Sequence, residues 1–240
     1  MNIAIDIGNT QIKTGIFDGD MLVHKENFPQ DMLESKIGIL ASKYPVERGI
    51  LSHVSRLDNT HLKKLENYFQ VMVLSRETPL PFENLYATPD TLGVDRLALA
   101  AAAVSKYPGQ NVLVIDSGTC ITFDFVNTLS QYLGGAISPG IEMRFKAVNA
   151  YTANLPLLRP EAAIPDKADS TTNAIQRGIL NGVICEIDGT INQYAAEYLT
   201  LTVVLTGGDV NFLANSLKSS IFAIPNFLLE GLNSILTYNS

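Results

Sequence analysis

The chain has 240 residues, 46% of them apolar, which suits one large domain or two compact lobes with a sizeable core and argues against a disordered chain. Its net charge of −7, with no run of Lys and Arg, argues against a nucleic-acid surface. The longest apolar run, Leu97 to Val104, is too short for a membrane span, and Asp6 interrupts any secretory h-region, so a cytoplasmic protein with no membrane attachment is expected.

The first strand is expected over Ile3-Ala4-Ile5 and runs into Asp6-Ile7-Gly8-Asn9-Thr10. Residues 11–17 have strand character, Asp18-Gly19-Asp20 is a turn, and 21–28 returns as a strand. A helix over 32–43, a strand over 49–54, a helix over 61–68 and a strand over 71–74 follow. The alanine-rich segment 92–106 reads as a helix joining two halves, and Tyr107-Pro108-Gly109 ends it. The opening pattern then recurs: Ile3-Ala4-Ile5-Asp6-Ile7-Gly8 is matched by Leu113-Val114-Ile115-Asp116-Ser117-Gly118, with Thr10 and Thr119 following. The second copy also continues as a hairpin, with strands over 121–126 and 131–137 around a turn at 127–130. Helices over 141–151 and 171–199, a strand over 202–205, a helix over 210–217, a strand over 221–224 and a helix over 227–236 complete it. Helices mixed with short buried strands indicate α/β layers, divided into lobes of residues 1–107 and 108–240 with a cleft between them.

Each acidic loop lies where a buried strand ends. Glycine there lets backbone amides approach a ligand, and Asn9, Thr10 and Thr119 add side-chain donors for an anion. Asp6 and Asp116 cannot bind phosphate directly, but they make sense if a cation lies between carboxylate and phosphate. A single Asp-x-Gly-x-Thr is an ordinary turn composition; two copies in the same strand-loop-hairpin context are not. Thr206-Gly207-Gly208-Asp209, after a strand and before a helix, would close a third side. Neither a Walker A loop nor a GxGxxG sequence occurs.

Taken together, these segments resemble the actin, sugar kinase and Hsp70 ATPase superfamily, and more narrowly type III pantothenate kinase. The resemblance is carried by residues 6–10 with Lys13, by Tyr86-Ala87-Thr88-Pro89 and by Gly93-Val94-Asp95-Arg96. It continues through Asp116-Ser117-Gly118-Thr119, residues 134–140, the run from Thr171 to Gly178, Thr206-Gly207-Gly208 and Leu229-Glu230-Gly231-Leu232. Val94 replaces the alanine usual between Gly and Asp.

The resemblance implies two similar actin-like (ribonuclease H-like) lobes and transfer of the ATP γ-phosphoryl to the primary hydroxyl of pantothenate, the first step towards coenzyme A. It implies that Asp6, Ile7, Gly8, Asn9, Thr10, Gln11, Ile12, Lys13 and Thr119 bind ATP, with Mg²⁺ bridging the phosphates. Asp95 would accept the proton, and Tyr86, Gly93, Val94, Asp95, Arg96 and Thr171 would line the pantothenate pocket. Asp116 would hold a monovalent cation, K⁺ or NH₄⁺, and a homodimer is implied. From local sequence alone, Asp95 is equally a first-turn partner of the helix dipole and Thr171 equally a helix N-cap. Cys120 reads as a small packing residue, and the Gly134-Gly135 pair as a close pass or a bend. The rival readings are another small-molecule kinase of the superfamily and a non-catalytic nucleotide-binding regulatory protein.

Overall fold

The computed structural model describes residues 1–8, 11–53 and 59–240. It is mixed α/β with two sheets, and the chain divides into two compact units. The first contains Met1–Gly109, Thr128–Leu133 and Asn226–Ser240; the second contains Gln110–Asn127 and Gly134–Pro225.

In the first unit, strand β1 (Asn2–Ile7) lies between its antiparallel neighbour β2 (Ile12–Asp18) and its parallel neighbour β4 (Arg48–His53). With β3 (Met21–Phe28) outside β2 and β5 (Gln70–Val73) outside β4, the order is β3-β2-β1-β4-β5. β1 is buried over almost its whole length, as a near-continuous apolar run in a sheet covered on both faces should be. β3, at the edge, alternates between exposed and half-buried positions. Helix α1 (Leu33–Lys43) buries Leu33, Ile37 and Leu40, the i, i+4, i+7 stripe of a helix lying on a sheet. Ile37 is fully buried, so Ile37→Ala should cost about 2–5 kcal/mol. Helix α2 (Asn59–Leu65) precedes β5, and Val54, expected to end the fourth strand, lies outside the described residues.

Helix α3 (Val94–Lys106) packs on helix α7 (Phe227–Tyr238) within this unit. Its alanines allow a close approach, with Gly231 of α7 set against Ala98 and Ala102. Lys106 Nζ donates to Glu230 Oε2 at 2.7 Å across the pair. The segment expected to join two halves is therefore core of the first unit. The C-terminal helix also groups here, because its buried Phe227, Leu229, Leu232 and Ile235 have α3 and β1 as neighbours.

The second unit repeats the plan. Strand β7 (Asn111–Ser117) pairs antiparallel with β8 (Cys120–Val126) and parallel with β10 (Leu201–Gly207). β9 (Gln131–Pro139) lies beyond β8 and β11 (Phe222–Ala223) beyond β10. Read outward from the hairpin, β9-β8-β7-β10-β11 has the connectivity of β3-β2-β1-β4-β5, so the sequence repeat is a fold repeat. Helices α4 (Ile141–Ala150) and α5 (Thr171–Glu197) supply Phe145, Leu180, Val183 and Ile187 to the core of this unit. Helix α6 (Val210–Ala214) is shorter than the expected 210–217. A two-residue strand, β6 (Glu83–Asn84), pairs with Gln131 and Tyr132 inside the first unit. Among the described residues no helix is long and apolar enough to cross a membrane.

Candidate active site

The first unit places Asp6 at the end of β1, only 5% exposed. It stands opposite Lys13 on β2 and Ser52 on β4, and Ser52 Oγ donates to Asp6 Oδ1 at 3.1 Å. Burial pushes the Asp6 carboxyl above its ordinary value; Lys13 and the Ser52 hydroxyl pull it back, and Asp95 pushes it up again. Asp95, distant in sequence, is thus brought into electrostatic range of Asp6.

Gly8, after β1, is held on both its amide and its carbonyl. The Gly8 N–H donates to the Gln11 carbonyl at 3.1 Å, and the Gly8 carbonyl accepts from Gln30 Nε2 at 2.7 Å. The Gly8 amide is already committed to the turn. Ile7 and Ile12 bury their side chains in the core, 3% and 0% exposed, so only their backbone can serve a ligand. Gln11 is exposed and Lys13 half-buried. Asn9 and Thr10 lie outside the described residues.

Gly93 is the N-cap of α3 and has no side chain to cap with; Val94 is the first helical residue. Asp95 Oδ1 accepts from the Arg96 backbone N–H at 2.9 Å, which is the first-turn dipole arrangement. A Cβ at Gly93 would run into that same Oδ1. Arg96, 5% exposed, has its guanidinium carbon 5.5 Å from the Tyr86 ring centroid and 6.0 Å from that of Tyr132. Tyr132 also lies 6.1 Å from both Tyr86 and Phe82. A buried cation against aromatic faces is held in place and gains electrostatically from the rings. The placement of Tyr132 beside Tyr86 and Phe82 was not legible in the sequence. Its signal is the β6 pairing, which sets Tyr132 beside Tyr86.

In the second unit Asp116 is the penultimate residue of β7, opposite Thr122 on β8 and Thr206 on β10. The turn repeats the first loop's bond: the Gly118 N–H donates to the Cys120 carbonyl at 2.9 Å. Thr119 is exposed, and its carbonyl accepts from the Gly140 N–H at 3.2 Å. A Cβ at Gly140 would meet the carbonyls of Gly118 and Thr119, so the turn after β9 backs the loop as closely as backbone can. Arg144 fixes that turn, donating to the Pro139 carbonyl and to Ser138 Oγ, each at 2.9 Å, and to Glu186 at 2.5 Å. Gly207 has φ of 100°, and a Cβ there would meet the Ser117 carbonyl and Asp116 Oδ1. Ser117 Oγ donates to Asp209 Oδ2 at 3.0 Å, and the Asp209 N–H donates to the Ser117 carbonyl at 3.2 Å. Burial raises the Asp209 carboxyl, the Ser117 hydroxyl lowers it, and Glu142 raises it further.

Thr171 is exposed and is the first residue of α5, but the cap is Ser170, whose Oγ accepts from the Asn173 N–H at 3.2 Å. The N-cap reading of Thr171 is therefore off by one residue. Cys120 is half-buried and Cys185 exposed, and both are free thiols.

A buried carboxylate with Lys13 beside it and a second carboxylate in electrostatic range suits a cation carried in with an anionic ligand. Among the described residues no group of three or more His, Cys, Asp or Glu side chains gathers into a metal cage. A divalent ion would then complete its shell with phosphate and water, as Mg²⁺ commonly does.

The family model for type III pantothenate kinase matches residues 2–193. A type III pantothenate kinase of Christiangramia forsetii is 49% identical over 240 residues, covering 100% of this chain and 99% of that protein. Among solved structures, a Campylobacter jejuni protein described as a Baf family transcriptional activator superposes with a TM-score of 0.67 at 22% identity, covering 99% of this chain and 98% of that one. A glucokinase from an Antarctic psychrotroph gives a TM-score of 0.53 at 15% identity, covering 100% and 99%. At those identities the two structures bear on the fold alone.

Proposed function

Because the chain belongs to the type III pantothenate kinases, enzymes that use ATP and a divalent metal to phosphorylate pantothenate in coenzyme A biosynthesis, we propose that its two strand-end loops handle ATP and that the Asp95–Arg96 helix start handles pantothenate. The observation that carries this reading is that Asp6, Lys13 and Ser52 meet at one strand end with Asp95 in electrostatic range of the Asp6 carboxyl, and that Arg96 is set against Tyr86 and Tyr132.

Phosphoryl transfer asks the protein for positioning and charge neutralisation more than for covalent chemistry. Asp95 takes the proton of the pantothenate primary hydroxyl as that oxygen bonds to the γ-phosphorus. The bond to the β,γ-bridging oxygen breaks, and ADP leaves with its electron pair. Lys13 offsets phosphate charge, and residues 6–13 with Thr119 present the loops to the triphosphate. Asp6 would hold Mg²⁺, which when bound neutralises charge on the phosphate oxygens. Arg96 pairs with the substrate's anionic oxygens, while Tyr86, Gly93, Val94 and Thr171 shape its pocket. Asp116 would hold K⁺ or NH₄⁺, in company with the partly buried Asp209. We further propose a homodimer in the cytoplasm.

Purified protein with Mg-ATP should release ADP with pantothenate and not with glucose, glycerol or acetate. Preferential turnover of a sugar would overturn the substrate assignment.

A further inference from the structure

We propose that Ser52 is a positioning residue, which aims the Asp6 carboxylate through its hydroxyl. This rests on the reading of Asp6 as a group that meets ATP and its divalent ion. Ser52 sits on β4 at a position that is fully buried, in a strand whose inner residues are otherwise glycine, isoleucine and leucine. An alanine would fill nearly the same space there and would bury no polar group. A buried hydroxyl costs free energy unless it is bonded, and the bond it makes is to Asp6 Oδ1 at 3.1 Å.

The register explains how it gets there. β1 and β4 run parallel with Asp6 beside Ser52, so the hydroxyl reaches the carboxylate from within a paired strand and not from a loop. The carboxylate's orientation is then set by two packed strands before any ligand arrives. The second unit has the same register: Thr206, 2% exposed, stands beside Asp116 on the parallel neighbour β10. A hydroxyl residue at the same register next to each strand-end aspartate marks the position as part of the site's construction, separate from the composition of either strand.

The test compares Ser52→Ala, Ser52→Cys and Ser52→Thr with Asp6→Asn and the Asp6→Asn/Ser52→Ala pair. Loss of a group that orients a ligating carboxylate typically costs about 10–100-fold in activity or metal affinity. Ser52→Ala should lower kcat/KM for ATP by about that factor. It should leave KM for pantothenate unchanged, and the ligand-free protein should melt somewhat lower at neutral pH, because the buried Asp6 carboxylate loses a donor. The rise in melting temperature produced by Mg-ADP should shrink as well, a readout independent of turnover. Ser52→Thr keeps the hydroxyl and should restore the ATP parameters, while Ser52→Cys, a weaker donor, should fall between. In the Asp6→Asn background, Ser52→Ala should add little, because the two changes act on one interaction.

An unchanged kcat/KM for ATP in Ser52→Ala, beside a large loss in Asp6→Asn, would overturn the positioning role and leave the reading of Asp6 standing. Full activity in Asp6→Asn would overturn both. A loss spread equally over both substrates, with the Mg-ADP rise in melting temperature intact, would make Ser52 a packing residue only. If Ser52→Ala does not fold, the order Thr above Cys supports the proposal, and equal values for the two overturn it.

Discussion

The Arg96 guanidinium carbon lies 5.5 Å from the Tyr86 ring centroid, although Arg96 is buried in the first turn of α3 and Tyr86 belongs to the irregular segment before it. With Tyr132 at 6.0 Å, the planar fork is held against aromatic faces. Lysine carries the charge without the fork, so Arg96→Lys tests geometry more than charge. Hydrogen bonds to charged groups contribute about 1.5–3 kcal/mol, so KM for pantothenate should rise about 10–100-fold. KM for ATP should stay near wild type. Steady-state kinetics in each substrate decides it, and an unchanged pantothenate KM would take Arg96 out of the pocket.

Asp95 makes the first-turn bond to the Arg96 N–H, and the same residue is the proposed proton acceptor. Asp95→Asn separates the two roles, since the amide oxygen can still accept that N–H but the side chain has lost its basicity. Removing a positioned base usually costs about 10²–10⁴ in rate. We expect kcat to fall by that order with the melting temperature nearly unchanged. A large drop in melting temperature with kcat preserved would make Asp95 a helix-start residue and nothing more.

Much of this was legible because the repeat is written in both periodicity and chemistry. Asp6 and Asp116 end matching apolar runs, and matching strand orders follow from them. The destination of α7 was not legible: an amphipathic pattern states that a face must be buried, but not against which sheet. β6 pairs only Glu83 and Asn84, too few residues for any period to show, and the placement of Tyr132 beside Tyr86 goes with it. Ser170 and Thr171 are both competent caps, and only the backbone geometry selects Ser170. Ser52 is one small polar residue in an apolar strand. Its role depends on a parallel register between β1 and β4 that sequence spacing does not encode.

The raised Asp209 carboxyl gives a pH prediction. Its unfolded reference value is 3.8, and burial holds the folded value above that. Such a group binds its proton more tightly when folded, so its contribution to stability is fully present below 3.8 and is lost as pH rises through the folded value. Asp209→Asn buries no charge and can still accept from Ser117 Oγ. In buffer free of nucleotide and K⁺, the variant should therefore melt higher than wild type at neutral pH, and the gap should close on acidification. A wild-type protein that melts higher at neutral pH would show that the charge itself stabilises the loop.

Asp116 carries the last prediction, that activity depends on K⁺ or NH₄⁺. Asp116 stands at the end of β7, and Asp209, held by Ser117, is on the neighbouring turn. Negative charge gathers there, where the exposed Thr119 is proposed to meet phosphate. Mg²⁺ is small, favours octahedral oxygen ligands and keeps several waters, so it can serve phosphates with few protein groups. A larger, weakly hydrated ion needs oxygens that replace its hydration shell, often carbonyls. The Ser117 carbonyl and Asp116 Oδ1 both lie against Gly207, so a backbone oxygen and a compensating charge are side by side. Substantial activity is expected in K⁺ or NH₄⁺, little in Na⁺ or Tris alone, and loss of the response in Asp116→Ala. The comparison is initial rate at matched ionic strength with saturating Mg-ATP and pantothenate. Equal rates in K⁺ and Na⁺ would remove the monovalent ion from Asp116 and leave that residue as a partner of the divalent ion on the phosphate side.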